Sequence, residues 1–82
     1  MSSNSINLYL EDLVNLIKEK ALNAKIELYE IKKDQIFDKS YQIGYLMAYH
    51  EVISLMKTQA DAFKISYTEL NLDNIDPNID LI

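Results

Sequence analysis

The residues that could carry out acid–base or metal chemistry centre on one histidine. His50 precedes Glu51, and the chain has no second His and no Cys. Successive residues on a helix do not face each other, and a zinc ion requires further nitrogen or sulfur ligands. The sequence also lacks a Ser-His-acid arrangement, a Gly-rich phosphate loop and a CxxC pair. We therefore expect a solvated His50, no enzyme activity, no catalytic residue, no metal and no cofactor.

A ladder of tyrosines suggests a second kind of chemistry. Tyr41, Tyr45 and Tyr49 are spaced by four residues and would align along one face of a helix. Aromatic rings stack on bases and other ring systems, so a small-ligand sensor with a Tyr-lined cavity is one alternative. Tyrosine also packs at the rim of helical interfaces, with its ring inward and its hydroxyl in water. We favour this second interpretation.

Three oxygen-bearing residues near the C-terminus resemble part of a calcium loop. Asp76, Asn78 and Asp80 match its first three ligand positions. The Gly and the distant Glu of that motif are missing. We therefore interpret this segment as turn-rich and solvated.

Composition narrows the range of partners and locations. The net charge is −5, and all eight basic residues are Lys. An acidic chain without Arg is poorly suited to bind nucleic acid through its phosphates. No apolar run approaches the roughly 18 residues that span a bilayer, and no signal peptide is visible. Together with the absence of Cys, these features predict a cytoplasmic protein without a membrane partner.

The length of the chain predicts self-association. A chain of 82 residues buries only about 60% of the surface that its unfolded form exposes. Small proteins of this kind gain stability from disulfides, a structural metal or oligomerisation. Because the first two are disfavoured here, we expect a homo-oligomer, and a dimer in particular.

Two segments show the spacing of amphipathic helices. Apolar residues recur at steps of three and four from Ile6 to Ile31, which predicts a helix over about 6–32. The phase then breaks, so the turn lies between residues 31 and 40, and a second helix is predicted over about 36–66. Residues 1–70 would form a helical hairpin, followed by a C-terminal tail at 71–82.

The second helix carries more apolar surface than one neighbouring helix covers. One seam comprises Leu46, Tyr49, Ile53, Met56, Ala60 and Phe63. An adjacent seam comprises Tyr41, Tyr45, Ala48, Val52, Leu55 and Ala62. The sequence therefore predicts an all-α protein, an antiparallel helical hairpin of two long helices that dimerises into a four-helix bundle. The residues expected at the self-association interface are Tyr41, Tyr45, Tyr49, Val52, Ile53, Met56 and Phe63.

Small residues suggest where the two helices approach each other closely. Gly44 and Ala48 are four residues apart on the second helix, and Ala21 and Ala24 lie at a similar distance from the turn on the first. A Gly inside a helix costs about 1 kcal/mol relative to Ala, so Gly44 needs a packing reason. We expect a close helix crossing at these four residues.

The tail at 71–82 consists of three near-repeats of Asn, an apolar residue and Asp. Asn and Asp favour turns, and Pro77 requires an extended residue before it, so we expect an irregular or extended acidic tail. Its apolar residues either fold back over the hairpin, which a small core favours, or dock into a partner. In the second case the tail resembles the acidic, apolar-ended C-terminal peptides with which some DNA-maintenance proteins recruit partners. The apolar residues in question are Leu72, Ile75, Ile79, Leu81 and Ile82.

A non-enzymatic protein–protein interaction module is the function that these features favour. We expect a small self-associating adaptor, or an inhibitor or regulator of the antitoxin, immunity or phage type that covers a partner's surface. Its acidic surface would suit a partner protein with a basic site. The alternatives are a purely structural oligomerisation domain and the ligand sensor described above.

Overall fold

Two long helices form a hairpin, and the C-terminal segment folds back along it. The structure is a computed structural model and describes residues 3–31 and 36–82. Helix α1 spans Ser3–Glu30 and helix α2 spans Ile36–Ala62. The predicted all-helical hairpin is thus confirmed. The turn predicted between residues 31 and 40 falls mainly on residues 32–35, which lie outside the described residues.

Helix α2 ends four residues before its predicted end at about residue 66. The main-chain N–H of Ile65 donates to the carbonyl oxygen of Ala60 at 2.8 Å, and that of Lys64 donates to Asp61 at 3.1 Å. Lys64 has a φ angle of 56°, in the left-handed region. These features together make a Schellman motif, the arrangement that turns a chain away from a helix end. Glycine usually occupies the left-handed position, and its absence here hides the helix end from sequence analysis.

The C-terminal segment, residues 66–82, contains two helical turns, and only the second lies within the tail at 71–82 that was expected to be irregular or extended. A 3₁₀ turn spans Thr68–Leu70, and a one-turn helix, α3, spans Pro77–Asp80. Asp76 has the extended backbone that the following proline requires. Its Oδ1 accepts a hydrogen bond of 3.0 Å from the N–H of Asn78. Asp76 is thus the N-cap of α3 and Pro77 its first residue, so residues that suggest turns here begin a helix.

The hydrophobic core lies where α1, α2 and the C-terminal segment meet. The segment is part of this core, because two of the three largest fully buried side chains, Leu72 and Leu81, come from it and only Ile53 comes from a long helix. The buried members of the core are Val14, Ala21, Ala24, Leu46, Ile53, Leu72, Ile75 and Leu81.

Candidate interaction surface

The hairpin has two opposite broad faces, and the C-terminal segment lies on one of them, which we call the tail face. Lys18 of α1 donates to the carbonyl oxygen of Asn71 at 2.7 Å. His50 of α2 lies 3.1 Å from Oδ1 of Asn78. Both long helices therefore turn one side toward the segment.

The opposite side of both helices carries exposed apolar residues. Side chains two positions apart on a helix are rotated by about 200° around its axis, so they point to nearly opposite sides. Val52 is therefore turned away from the tail face, because it lies two residues after His50. Leu16 is turned away for the same reason, since it lies two residues before Lys18. We call this side the open face, and its exposed large apolar residues are Ile6, Tyr9, Leu13, Leu16, Tyr41, Tyr45, Val52, Leu55 and Phe63.

Contacts between the helices show that these residues share one surface. Tyr45 of α2 lines a cleft together with Lys20, Ala24 and Glu27 of α1. Lys20 and Glu27 lie on the same side of α1 as its exposed apolar residues, because they continue the same steps of three and four. These steps begin at Ile6, Tyr9, Leu13 and Leu16. The side chain of Gln42 donates to Glu27 at 3.0 Å and joins the helices at the same level.

The structure separates the two apolar seams predicted on α2. The seam that contains Leu46 and Ala60 packs into the core over most of its length, whereas Phe63 at its end is exposed. Ile53 is fully buried there, so it cannot contact a second copy as expected; Tyr49 and Met56 are partly buried against the same core. The seam through Tyr41, Val52 and Leu55 is exposed.

The three tyrosines of the ladder pack against one another on the outside of α2. The rings of Tyr41 and Tyr45 are stacked, with centroids 6.2 Å apart, and the rings of Tyr45 and Tyr49 meet edge to face at 5.2 Å. The hydroxyls of Tyr45 and Tyr49 are 3.4 Å apart, and this hydrogen bond raises the pKa of Tyr45 above its ordinary value. The cleft beside Tyr45 measures about 160 Å³ and is lined mainly by residues of α1. The rings do not surround a ligand-sized cavity.

An apolar hollow of about 260 Å³ lies at the end of the hairpin that is distant from the turn. It is lined by Leu10 of α1, by Met56 of α2 and Phe63 directly after that helix, and by Leu72 of the C-terminal segment. The ring of Phe63 is exposed beside it. This hollow extends the apolar surface of the open face.

The close crossing expected at four small residues does not form within the chain. Ala21 and Ala24 are buried in the core. Gly44 and Ala48 are exposed, and a Cβ atom built on Gly44 would meet nothing within 4 Å. Gly44 therefore faces away from α1, and no contact with the residues that the structure describes explains its lack of a side chain.

Polar residues fasten the C-terminal segment to the tail face. The ammonium of Lys18 bonds the carbonyl of Asn71 and also Oδ1 of Asn74. The side-chain amide of Asn71 donates to Oδ1 of Asn15. Burial lowers the pKa of Lys18, and the nearby Asp73 carboxylate opposes this change in part. The repeated Asn residues of the segment thus serve as its anchors.

Sequence analysis missed Lys18, although a signal for it exists. Lys18 follows Val14 by four residues and precedes Ala21 by three, so it occupies a position on the buried stripe of α1. A lysine there must bury its ammonium beside hydrogen-bond acceptors or carry it past the core into solvent. The structure shows the first outcome.

The five apolar residues considered for docking divide into two groups. Leu72, Ile75 and Leu81 are buried in the core, whereas Ile79 and Ile82 are exposed. A partner could therefore reach only these last two without unfolding the segment.

The acidic residues near the C-terminus are engaged in local hydrogen bonds. Besides its bond to Asn78, Asp76 donates its main-chain N–H to the carboxylate of Asp80 at 2.8 Å. Within residues 3–31 and 36–82, no three His, Cys, Asp or Glu side chains are grouped so that they could hold a metal ion. In the same part of the chain, neither long helix combines the length and apolar character that crossing a membrane requires.

The fold and its surfaces define a class: a small all-helical hairpin whose C-terminal segment covers one face and leaves an apolar face open. Comparisons of the chain with protein-family models, with curated proteins and with solved structures find no match.

Proposed function

We propose that this chain is a non-enzymatic protein–protein interaction module that binds a second copy of itself through the open face. The observation that carries this proposal is the set of neighbouring exposed apolar side chains that α1 and α2 both contribute to the open face. Other exposed apolar residues, such as Leu8 and Tyr29, lie on the remaining surface. The C-terminal segment shields the tail face, while large residues such as Tyr41, Leu55 and Phe63 remain exposed on the other side. Monomeric proteins rarely expose contiguous apolar patches larger than a few hundred Å², and larger patches mark interaction sites.

The dimensions of the molecule support an interface of sufficient size. The chain measures 51 × 22 × 17 Å, so a rectangle around its broad side has an area of about 1,100 Å², and a standard interface of roughly 800 Å² per partner would use most of this side. The exposed seam of α2 also has the alternating steps of four and three, Tyr41, Tyr45, Ala48, Val52 and Leu55, with which helices pack into coiled coils and bundles. Two open faces packed together would form the four-helix bundle.

Light scattering across a concentration series tests the proposal with one variant and one matched control. Leu55 on the open face is 59% exposed, and Ile26, on another side of α1, is 55% exposed. We expect a wild-type dimer and an at least 100-fold higher dissociation constant for Leu55→Asp, because a charge would be buried at the centre of an apolar interface. Ile26→Asp should remain dimeric. A folded wild-type monomer at every concentration, or equal effects of both substitutions, would reject the proposal.

The second part of the proposal concerns another protein as partner. With the open face covered, the exposed acidic residues Glu69, Asp73 and Asp76 of the C-terminal segment stay accessible, and the chain has a net charge of −5. Opposite charge speeds association, so the adaptor or regulator function in the cytoplasm calls for a partner with a basic site. A pull-down should lose this partner with Glu69→Gln/Asp73→Asn and keep it with Glu30→Gln/Asp38→Asn, which removes the same charge from exposed residues near the turn. If no protein depends on the acidic pair, the dimer is a purely structural oligomerisation unit.

A further inference from the structure

The open face of α1 changes from apolar to polar halfway along the helix. Its first half is apolar, from Ile6 to Leu16. After Leu16, the same alternating steps reach Lys20, Asn23 and Glu27, all exposed. The apolar half lies at the end distant from the turn, and the polar half lies near the turn.

The open face of α2 has a matching gradient without any charge. Its seam carries no charged residue from Tyr41 to Phe63. Near the turn it presents the phenols of Tyr41 and Tyr45, which can donate and accept hydrogen bonds. Farther from the turn it presents Val52 and Leu55, which can only pack.

A second copy can meet this face through two kinds of two-fold axis that keep neighbouring helices antiparallel. An axis parallel to the helices brings both turns to the same end and places α1 of each copy against α2 of the other. An axis perpendicular to the helices puts the turns at opposite ends and places α1 against α1 and α2 against α2. The polarity of the two seams distinguishes these arrangements.

The perpendicular axis brings unlike residues together. With α1 fully overlapping α1, Ile6 would meet Glu27 of the second copy, and Leu13 would meet Lys20. Each contact would remove a charge from water and place it against an aliphatic side chain, which is costly when the charge has no partner. A shift along the axis that avoids these contacts would leave Tyr41 and Tyr45 uncovered.

The parallel axis brings like residues together. Within one chain, Glu27 and Lys20 lie at the same height along the hairpin as Tyr45, since the three line one cleft. Leu10 lies at the same height as Phe63, since both line the apolar hollow. An axis parallel to the helices preserves these levels between copies. The charged half of α1 would then face the phenols of the second copy, and the apolar half would face its aliphatic residues.

We infer that two copies dock with their turns at the same end, so that α1 of each packs on α2 of the other. This inference rests on the proposed self-association. The partner is thus a second copy in one defined orientation. The apolar half of α1 packs on the aliphatic part of the other copy's α2, and the polar half lies beside its phenols. The facing pairs are Leu13 and Leu16 with Val52 and Leu55, and Lys20 and Glu27 with Tyr41 and Tyr45. Both tail faces then point outward.

Disulfide cross-linking tests this orientation, because the chain contains no native cysteine. Leu16→Cys and Val52→Cys proteins are mixed and oxidised. We expect the mixed disulfide as the main cross-linked product and loss of cross-linking when either protein is oxidised alone. Cross-linking of Leu16→Cys or of Val52→Cys to itself, with no mixed product, would overturn the orientation and leave the dimer intact. A wild-type monomer by light scattering would instead reject self-association.

Spin labels outside the seam keep the test decisive if cysteine weakens the interface. Ser40, Glu51 and Thr58 are exposed on α2, and Ser40 and Thr58 lie at equal distances from its middle. With the parallel axis, the distance between the two labels of a dimer should be similar at all three sites. With the perpendicular axis, labels at Ser40 and Thr58 would be separated by about 27 Å along the helix, from the rise of 1.5 Å per residue, while labels at Glu51 would be close. This second pattern would overturn the inference.

Discussion

The Nζ atom of Lys18 donates a hydrogen bond of 2.7 Å to the carbonyl oxygen of Asn71, 53 residues further along the chain. The same ammonium bonds Oδ1 of Asn74, and the lysine is only 8% exposed. One buried cation on α1 thus holds the start of the segment that completes the core.

Replacing Lys18 by methionine should loosen the C-terminal segment. Met retains most of the apolar stem but leaves two acceptors, on Asn71 and Asn74, without their donor. We expect the free energy of unfolding to fall by about 1–3 kcal/mol, together with faster amide hydrogen exchange within residues 72–81. Lys39→Met, at an exposed position of α2, should change stability by less than about 0.5 kcal/mol. Equal exchange rates in the segment of both variants would contradict the role of Lys18.

Lys18 should also make stability depend on pH in the alkaline range. Burial lowers its pKa below the ordinary value of 10.5, which the unfolded chain keeps. Between the folded-state pKa and 10.5 the unfolded state therefore binds more protons, and the free energy of unfolding rises as pH rises through this window. Denaturant titrations at several alkaline pH values should show the advantage of wild type over Lys18→Met growing toward pH 10.5. A constant difference would contradict the lowered pKa.

The ionisation of Tyr67 should lower the free energy of unfolding as pH rises above 10, the opposite of the effect of Lys18. Its hydroxyl donates to the carboxylate of Asp61 at 2.8 Å, and this bond raises its pKa above the ordinary 10.0. The unfolded chain then loses the Tyr67 proton first, so the stabilising contribution is present below pH 10.0 and lost as pH rises through the folded-state pKa. Tyr67→Phe should flatten this part of the stability profile, and ultraviolet titration of the phenols should show one fewer late-ionising tyrosine. An unchanged titration would argue against the bond.

Glycine at position 64 should stabilise the protein. Lys64 has a φ of 56°, in a region that costs most L-residues about 1–2 kcal/mol. Lys64→Gly removes this cost, while the greater freedom of glycine in the unfolded chain offsets part of it, so we expect a gain of about 0.5–1 kcal/mol in thermal or urea unfolding. Lys64→Ala keeps the backbone cost and removes the charge. An equal gain for Ala would show that charge rather than backbone conformation matters.

Periodicity is sufficient to predict α1 and α2, because both helices bury one side and their apolar residues recur at steps of three and four. It does not show which of two adjacent seams on α2 meets α1, since both seams consist of apolar and aromatic residues at the same spacing. Ile53, expected at the interface between copies, is buried in the core for this reason. The end of α2 is likewise hidden, because Lys64 takes a conformation that its residue type does not signal.

The C-terminal segment shows a different limit of sequence analysis. Its Asn, Asp and Pro residues favour turns, but the same residues cap and start helices, and only the surrounding packing decides between these outcomes. That Leu72 and Leu81 fold back follows from the need of a short chain for more core. Which of the apolar residues point inward depends on how the segment crosses the hairpin, and no local pattern contains that information.

Two isoleucines of the segment test its role in the core. Ile75 is 2% exposed and Ile79, four residues later, is 69% exposed. Ile75→Ala should lower the free energy of unfolding by about 2–4 kcal/mol, because the substitution opens a cavity among packed side chains. Ile79→Ala should lower it by less than about 0.5 kcal/mol. Urea unfolding followed by circular dichroism measures both.

The same pair separates folding from docking. Because Ile79 stays exposed when Ile75 is buried, a protein that uses the segment to dock should lose partner binding with Ile79→Ala while its stability is unchanged. A segment that serves only to complete the core should show the reverse, with stability lost through Ile75→Ala and partner binding unaffected by Ile79→Ala. If Ile75→Ala unfolded no more easily than Ile79→Ala, the segment would not be part of the core in solution, and the tail face would be a second open surface.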